Sequence, residues 1–288
     1  MLEVILRGLV FIIAAPFVGG LLSGIDRKIT ARMQGRRGPS IFQSFYDVRK
    51  LLSKQVLIVN SLQHMLVWGF LIFVVFTGVL FFAGEDILLV IFSLTTAVMF
   101  MVMASYSVNS PFSAMGSQRE LIQMMSYEPM LLISAVGFYM ATGTFNIKGI
   151  MQANIPAIVY LPGVFAGFLY ILTVKLGKSP FDLSNSHHAH QEMVKGITTE
   201  MSGSVFALIE IAHWYENVFL LGIVGLFIVS NQWWSWIIAG IVILITFFLE
   251  ILIDNTSARV KWDVMLKTVW AITLVVGGIN IFILDIIR

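Results

Sequence analysis

The sequence predicts an all-α integral membrane protein, with about eight transmembrane helices, one interfacial amphipathic helix and both termini outside. Three observations predict it. Hydrophobic residues make up 58% of the 288 and charged residues only 12%, with mean hydropathy +0.89. Apolar runs long enough to cross a ~30 Å hydrocarbon slab, which takes ~20 helical residues, recur along the chain. Lys and Arg gather on alternate connections between those runs. A soluble domain carries nearer about a quarter charged residues, so the composition excludes disorder, a fibrous protein and an ordinary cytosolic enzyme. The unbroken runs exclude a barrel, whose strands alternate over ~10 residues. No internal repeat is visible, and residues 1–288 read as one membrane unit. With no cysteine, the chain has no thiolate to hold an iron–sulfur cluster, form a disulfide or act as a nucleophile.

The first span runs from about Leu2 to Gly24. It is too long, and lacks the small-residue cleavage site, for a removable signal peptide. The second, Gln63 to Phe82, and the third, Ile87 to Tyr106, are joined by a polar turn at Gly84-Glu85-Asp86. The fourth runs from about Arg119 to Ala141, the fifth from Ala157 to Leu176 and the sixth from Thr199 to Val229. The seventh is Trp233 to Ile253 and the eighth Val264 to Ile287. Pro16 and Pro129 are expected to kink their helices. Trp233, Trp234 and Trp236 read as interface anchors, and Met99, Met101 and Met103 as packing.

Of the 18 Lys and Arg, all but Arg7, Lys148 and Arg288 fall on one side of this arrangement. That side is cytoplasmic by the positive-inside rule. Its connections cover about 26–60, 107–118, 177–198 and 254–263. In the first of these, Ile41, Phe42, Phe45, Val48, Leu51 and Leu52 recur at spacings of one, three and four, as in an interfacial amphipathic helix. The basic residues around it suit attraction to anionic lipid. They also suit docking of a soluble partner, because two guanidiniums in the Arg36-Arg37-Gly38-Pro39 turn match specific carboxylates. The third connection carries His187, His188 and His190, with Asp182 and Glu192 nearby. His187 and His190 have the i,i+3 spacing of some zinc sites, but no four-ligand set is visible. Hydrogen bonding to a partner, or proton relay at the membrane entrance, fits better.

Ionisable groups inside spans are costly and functional by default. They concentrate in the fourth and sixth spans, and the others have almost nothing comparable in their middles. At about 100° per residue, Glu120, Gln123 and Tyr127 fall within about 60° of one another, and Glu128 about 80° from Glu120. Glu210, His213 and Glu216 step by three residues along one face, with Glu200 about 80° from Glu210. Carboxylates interleaved with His, Tyr and Gln form what a proton path needs. The alternatives are helix–helix hydrogen bonding and, for Glu120 and Glu200, a favourable place at a helix N-terminus.

The residues Asp26-Arg27-Lys28, Gln34-Gly35-Arg36-Arg37-Gly38-Pro39, Asp47 and Lys50-Leu51 resemble the first cytoplasmic loop of the complex I H subunit. Arg119, Gln123 and Tyr127-Glu128 match it further on. So do Ser179-Pro180-Phe181-Asp182-Leu183, then Val194, Gly196, Glu200, Ser202-Gly203 and Phe206-Ala207-Leu208. The likeness covers roughly residues 10 to 220. Two departures choose a branch. The stretch Ser184 to Glu192 is longer than in respiratory subunits, and His213 stands in Ala212-His213-Trp214 where they carry a Glu. The first looks like the related subunit of energy-converting, Ech-type, membrane-bound nickel–iron hydrogenases, and the second weakens a quinone site, since those hydrogenases reduce protons rather than quinone.

The resemblance implies eight transmembrane helices and a membrane anchor and coupling subunit. It would link ferredoxin-dependent proton reduction in partner subunits to export of H⁺ or Na⁺, in the plasma membrane of a prokaryote. No cofactor is expected in this chain. The nickel–iron centre and iron–sulfur clusters would belong to hydrogenase large and small subunits and a ferredoxin-like iron–sulfur subunit, with antiporter-like membrane subunits alongside. The implied roles are a proton path through Glu120, Gln123, Tyr127, Glu128, Glu200, Glu210, His213 and Glu216. Partner docking would fall to Arg27, Lys28, Arg32, Arg36, Arg37, Asp47, Arg119, Asp182, His187, His188 and His190. No nucleic acid is expected as a partner, and no metal at any of these positions. The alternatives are a complex I H subunit lining a quinone chamber, reached by a slot between the first span and the amphipathic helix, and a stand-alone cation transporter.

Overall fold

A computed structural model describes residues 2–55, 60–185 and 194–287. Among the described residues the secondary structure is helical throughout, apart from an isolated bridge between Asp86 and Asn146. The helices are α1 (Leu2–Met33), α2 (Gln43–Leu52), α3 (Ser61–Ala83), α4 (Ile87–Tyr106), α5 (Pro111–Thr142), α6 (Ile147–Met151), α7 (Ala157–Tyr160) and α8 (Pro162–Lys175). They continue with α9 (Gly203–Leu226), α10 (Trp233–Thr256), α11 (Trp262–Ile272) and α12 (Ile279–Ile287), the last two joined by a π-helical stretch, Thr273–Gly278. Among the described residues, seven helices are long and apolar enough to cross a membrane, counting α11 to α12 as one.

The caps follow from the sequence. Asn60 accepts a hydrogen bond from the Leu62 N–H and so starts α3. Gly84, at φ 88°, ends it in the left-handed conformation that glycine adopts without strain. Asp86 then accepts from the Leu88 N–H and starts α4. The expected polar turn is therefore one C-cap followed at once by one N-cap.

Three elements differ from expectation. α5 begins at Pro111, where a proline at the first helical position costs no hydrogen bond. Most of the expected connection 107–118 is thus helix, and Glu120 lies well inside α5 rather than at its N-terminus. α1 continues to Met33, a 32-residue helix, about 48 Å at 1.5 Å per residue. Its last turns, carrying Arg27, Lys28 and Arg32, project beyond a ~30 Å hydrocarbon core. The fifth expected span is divided at Leu161 into α7 and α8, because Pro162 cannot donate to the preceding turn. Asn280 of α12 caps the second piece: its Oδ1 accepts from the Gly163 and Val164 N–H groups at 2.9 and 3.0 Å. α1 and α5 stay assigned as helix through Pro16 and Pro129.

One core joins α4, α5, α8 and α9 around Tyr127, Phe138, Phe168, Phe219 and Phe227, and a second joins α1, α3, α4 and α9. α9 belongs to both and is the central helix. The Tyr215 hydroxyl donates to the Ile12 carbonyl at 2.7 Å, tying α9 to α1. Large apolar side chains such as Ile13, Phe17, Leu244 and Phe282 are exposed on α1, α10 and α12. That is the surface lipid tails require and water would penalise.

α2 lies across α1 and α9. Its apolar side packs Val48 on Ala207 and Trp214, with the Phe45 ring 5.2 Å from that of Trp214. Phe42, Tyr46 and Leu52 remain exposed, as an interfacial helix needs on its lipid side. Gly20 and Gly24 of α1 let this layer approach: a Cβ at Gly20 would strike the Phe45 ring, and one at Gly24 the Ile41 carbonyl.

Candidate functional site

Between α1, α5, α8, α9 and α10 lies a polar cavity of about 550 Å³. Its wall carries Glu120 of α5, Lys175 of α8, Glu210, His213 and Glu216 of α9 and Glu250 of α10. The loop that follows α8, with Lys178 and Asp182, lines one end of it. Steps of three place Glu210, His213 and Glu216 on one stripe of α9, and all three line this space. A second cavity, of about 220 Å³, lies beneath α2 between Arg27, Asp47, Lys50 and Lys54. Glu210 lines both.

Two charged centres stand on the wall of the larger cavity. In the deeper one, Lys175 Nζ lies 2.6 Å from Glu216 Oε1, with the two side chains 6% and 8% exposed. Nζ also sits 5.1 Å from the centroid of the Tyr127 ring, a cation–π contact. Glu120 is close enough for its charge to act on both Lys175 and Tyr127. In the outer centre, Lys178 bridges two helices, paired with Asp26 of α1 and, at 3.3 Å, with Asp254 of α10. The Ser179 N–H donates to the other oxygen of Asp254 at 2.9 Å. Burial opposes the charge on Lys178, but Asp26 and Asp254 outweigh it and hold its pKa above the ordinary lysine value. Charge in so dry a place persists only where it is paired.

Several expected residues therefore meet. Glu120, Glu210, His213 and Glu216 share the cavity, and Tyr127 lies against its lysine. Gln123 is near but turned elsewhere, its Nε2 donating to the Phe181 carbonyl at 2.6 Å. It holds the loop after α8 rather than lining the cavity. Glu128 is half-buried and does not line the cavity. Glu200 sits in a turn before α9, whose first residue is Gly203, so it is not in a span. The expected start at Thr199 is too early because Gly203, at φ 56°, breaks the backbone there.

The docking set divides. Lys28, Arg32, Arg36 and Arg37 are exposed, and Arg36 bonds the Gln34 side chain. Arg27 and Asp47 pair with each other at 2.6 Å, fastening α2 to α1. Arg119 reaches the Leu183 carbonyl at 3.5 Å. Asp182, expected on the docking face, is 6% exposed. Arg259 holds it, donating to its carbonyl at 2.6 Å and lying 3.3 Å from its carboxylate. It is a clamp within the chain. His187, His188 and His190 lie outside the described residues, and among the described residues no three His, Asp or Glu gather in a metal-holding group.

Sequence reasoning missed Lys175, Lys178, Glu250, Asp254 and Arg259 as parts of this site. In the sequence the lysines and Arg259 count only as cytoplasmic positive charge. Glu250 did carry a signal: one acid within Phe247-Phe248-Leu249-Glu250-Ile251-Leu252 near the end of an apolar helix.

Residues 6–285 match the protein family described as NADH dehydrogenase. The chain is 30% identical over 262 residues to the second H-type NADH-quinone oxidoreductase subunit of Solibacter usitatus, covering 81% of this chain and 64% of that one. It is 28% identical to hydrogenase-4 component C of Escherichia coli K12, over 87% of this chain and 86% of the relative. Against formate hydrogenlyase subunit 4 of the same organism, identity is 27%, with 93% of each chain covered. A chain in the structure of the membrane-bound sulfane sulfur reductase, an archaeal respiratory membrane complex, has the same fold. There the TM-score is 0.85 at 22% identity, with 98% of this chain and 99% of that one covered. These relatives are subunits of redox enzymes built in membranes. This chain belongs to the NADH dehydrogenase family, as a multi-pass membrane protein of the complex I H subunit kind.

Proposed function

We propose that this chain is the membrane anchor and coupling subunit of an energy-converting hydrogenase. It would join proton reduction in partner subunits to translocation of H⁺ or Na⁺. The observation that carries the reading is the charged cavity, where Glu120, Glu210 and His213 share a wall with the buried Lys175–Glu216 pair in an apolar helix bundle. Such groups are retained in a membrane because they carry or respond to charge.

In this reading the chain holds no redox centre. The nickel–iron centre and iron–sulfur clusters sit in hydrogenase large and small subunits and a ferredoxin-like subunit. These dock on Lys28, Arg32, Arg36 and Arg37, and on His187, His188 and His190, which lie outside the described residues. A charge change there acts on Lys178 and Asp182, which line one end of the cavity, and through the cavity on Glu120, Glu210 and Glu216. Antiporter-like membrane subunits receive the disturbance. The quinone-chamber alternative wants a slot between α1 and the amphipathic layer. Phe45 against Gly20 and Ile41 against Gly24 close part of that junction, and the smaller cavity beneath α2 lies beside them.

The test is isolation of the chain from its native membrane in mild detergent, with nickel and hydrogen evolution from reduced ferredoxin measured together. Co-purification of both supports the reading. Iron–sulfur partners without nickel or hydrogen evolution would replace it with a respiratory or sulfur-reducing relative. Recovery of the chain alone from an intact preparation would favour a solitary transporter.

A further inference from the structure

Glu250 of α10 enters neither the family resemblance nor the acids of α5 and α9, yet it stands on the cavity wall. It is 3% exposed and lines the cavity. Its Oε2 is buried without a hydrogen-bond partner among the described residues. The charges acting on it are those of Lys178 and, one turn along its own helix, Asp254. Lys178 is already engaged with Asp26 and Asp254, so no dedicated cation neutralises Glu250. α10 packs on α9 and α1. The titratable groups that share the cavity from those helices are Glu210, His213 and Glu216 of α9 and Asp26 of α1.

A carboxyl kept dry, with one oxygen unpartnered, is costly to charge and needs a reason to stay where leucine would pack without penalty. Its place supplies one. Asp254 is on the same helix near the cytoplasmic end, and Glu250 lies deeper, on the wall shared with the α9 row. A space of about 550 Å³ lined by charged side chains has room for water, which can pass protons between groups too far apart to touch.

We propose that Glu250 is a proton-carrying residue of this cavity, exchanging its proton with cytoplasmic water at the Lys178 end and with the Glu210–His213–Glu216 row inside. A hydronium ion gives its proton to Oε2, its O–H bond breaking to leave water, and the neutral acid forms. That O–H bond breaks when a carboxylate or the imidazole of the α9 row takes the proton, and the Glu250 carboxylate is restored. Lys178, engaged with Asp26 and Asp254, stands at one end of this exchange. The inference rests on the coupling role proposed above but concerns a different helix.

The experiment is a pH-difference infrared spectrum of the purified complex, for the wild type, Glu250→Gln and Glu250→Asp. The expected result is a protonated-carboxyl carbonyl band in the wild type that is lost in Glu250→Gln and shifted in Glu250→Asp. In proteoliposomes, Glu250→Gln should evolve hydrogen while losing the gradient, and Glu250→Asp should keep both. Should Glu250→Gln not assemble, the shift in Glu250→Asp decides alone. A wild-type band that persists unchanged in every variant that assembles overturns the assignment. The two proposals fail separately: a complex without nickel ends the hydrogenase reading but leaves the infrared result standing, whereas hydrogen evolution with an unaltered band ends only this one.

Discussion

Lys175 and Glu216 illustrate the asymmetry of a buried ion pair. Removing one partner strands the other in an apolar bundle, which costs about 3–5 kcal/mol, whereas removing both in favour of apolar side chains can be nearly neutral. Lys175→Met should therefore lower the melting temperature of the purified protein sharply. Adding Glu216→Leu should recover most of the loss, and additive losses in the double variant would refute the pairing. Lys178 supplies the pH dependence. Its folded pKa lies above the ordinary value, which is about 10.4. The stability it adds is thus fully present below about pH 10.4 and is lost as pH rises through the folded value. The melting-temperature gap between wild type and Lys178→Met should stay level from neutral pH to about pH 9 and narrow only in stronger alkali. A gap that narrowed between neutral pH and about pH 9 would contradict this.

Elements meet where glycine permits it, and two glycines separate two reasons for needing one. Gly24 has no room, because a Cβ would meet the Ile41 backbone carbonyl. Gly35 has open space around it but sits at φ 70°. Gly35→Ala should cost on the order of 1 kcal/mol through backbone strain alone. Gly24→Val must push the amphipathic layer off α1, an overpacking cost of about 1–3 kcal/mol or more. Limited proteolysis should show cleavage near Lys50 and Lys54 in Gly24→Val but not in Gly35→Ala. The clamp between the α10–α11 connection and the loop after α8 works at the same scale. Arg259→Ala removes the donor to the Asp182 carbonyl and the partner of its carboxylate. It should quicken tryptic cleavage at Lys195, with α-helical circular dichroism unchanged.

For the whole molecule, orientation is the most direct expectation. The chain has no cysteine, so single cysteines report sidedness without background. Lys28 and Lys148 are both exposed and fall on opposite sides of the arrangement that the positive-inside rule predicts. An impermeant maleimide should label Lys28→Cys only from the cytoplasmic side and Lys148→Cys only from the other. Labelling of both from one side would overturn the orientation.

Sequence alone determined the membrane class, most of the spans and the stripe of Glu210, His213 and Glu216. Composition, run length and helical periodicity are local properties, and α4 falls at the residues its apolar run delimits. Helix ends were less legible. Asp26 to Arg32 look like a loop by charge, yet nothing in them breaks a helix, and a helix leaving the membrane can carry charge in water at no cost. Tertiary structure decided which charges face each other. Lys175 finds Glu216 41 positions away in the chain, and Lys178 joins α1 to α10. Likewise Asp182, exposed in any reading of its motif, is buried because Arg259 folds back onto it. Pairings of this kind depend on how helices pack, and packing in lipid turns on shape complementarity and interhelical hydrogen bonds, which no single window of sequence encodes.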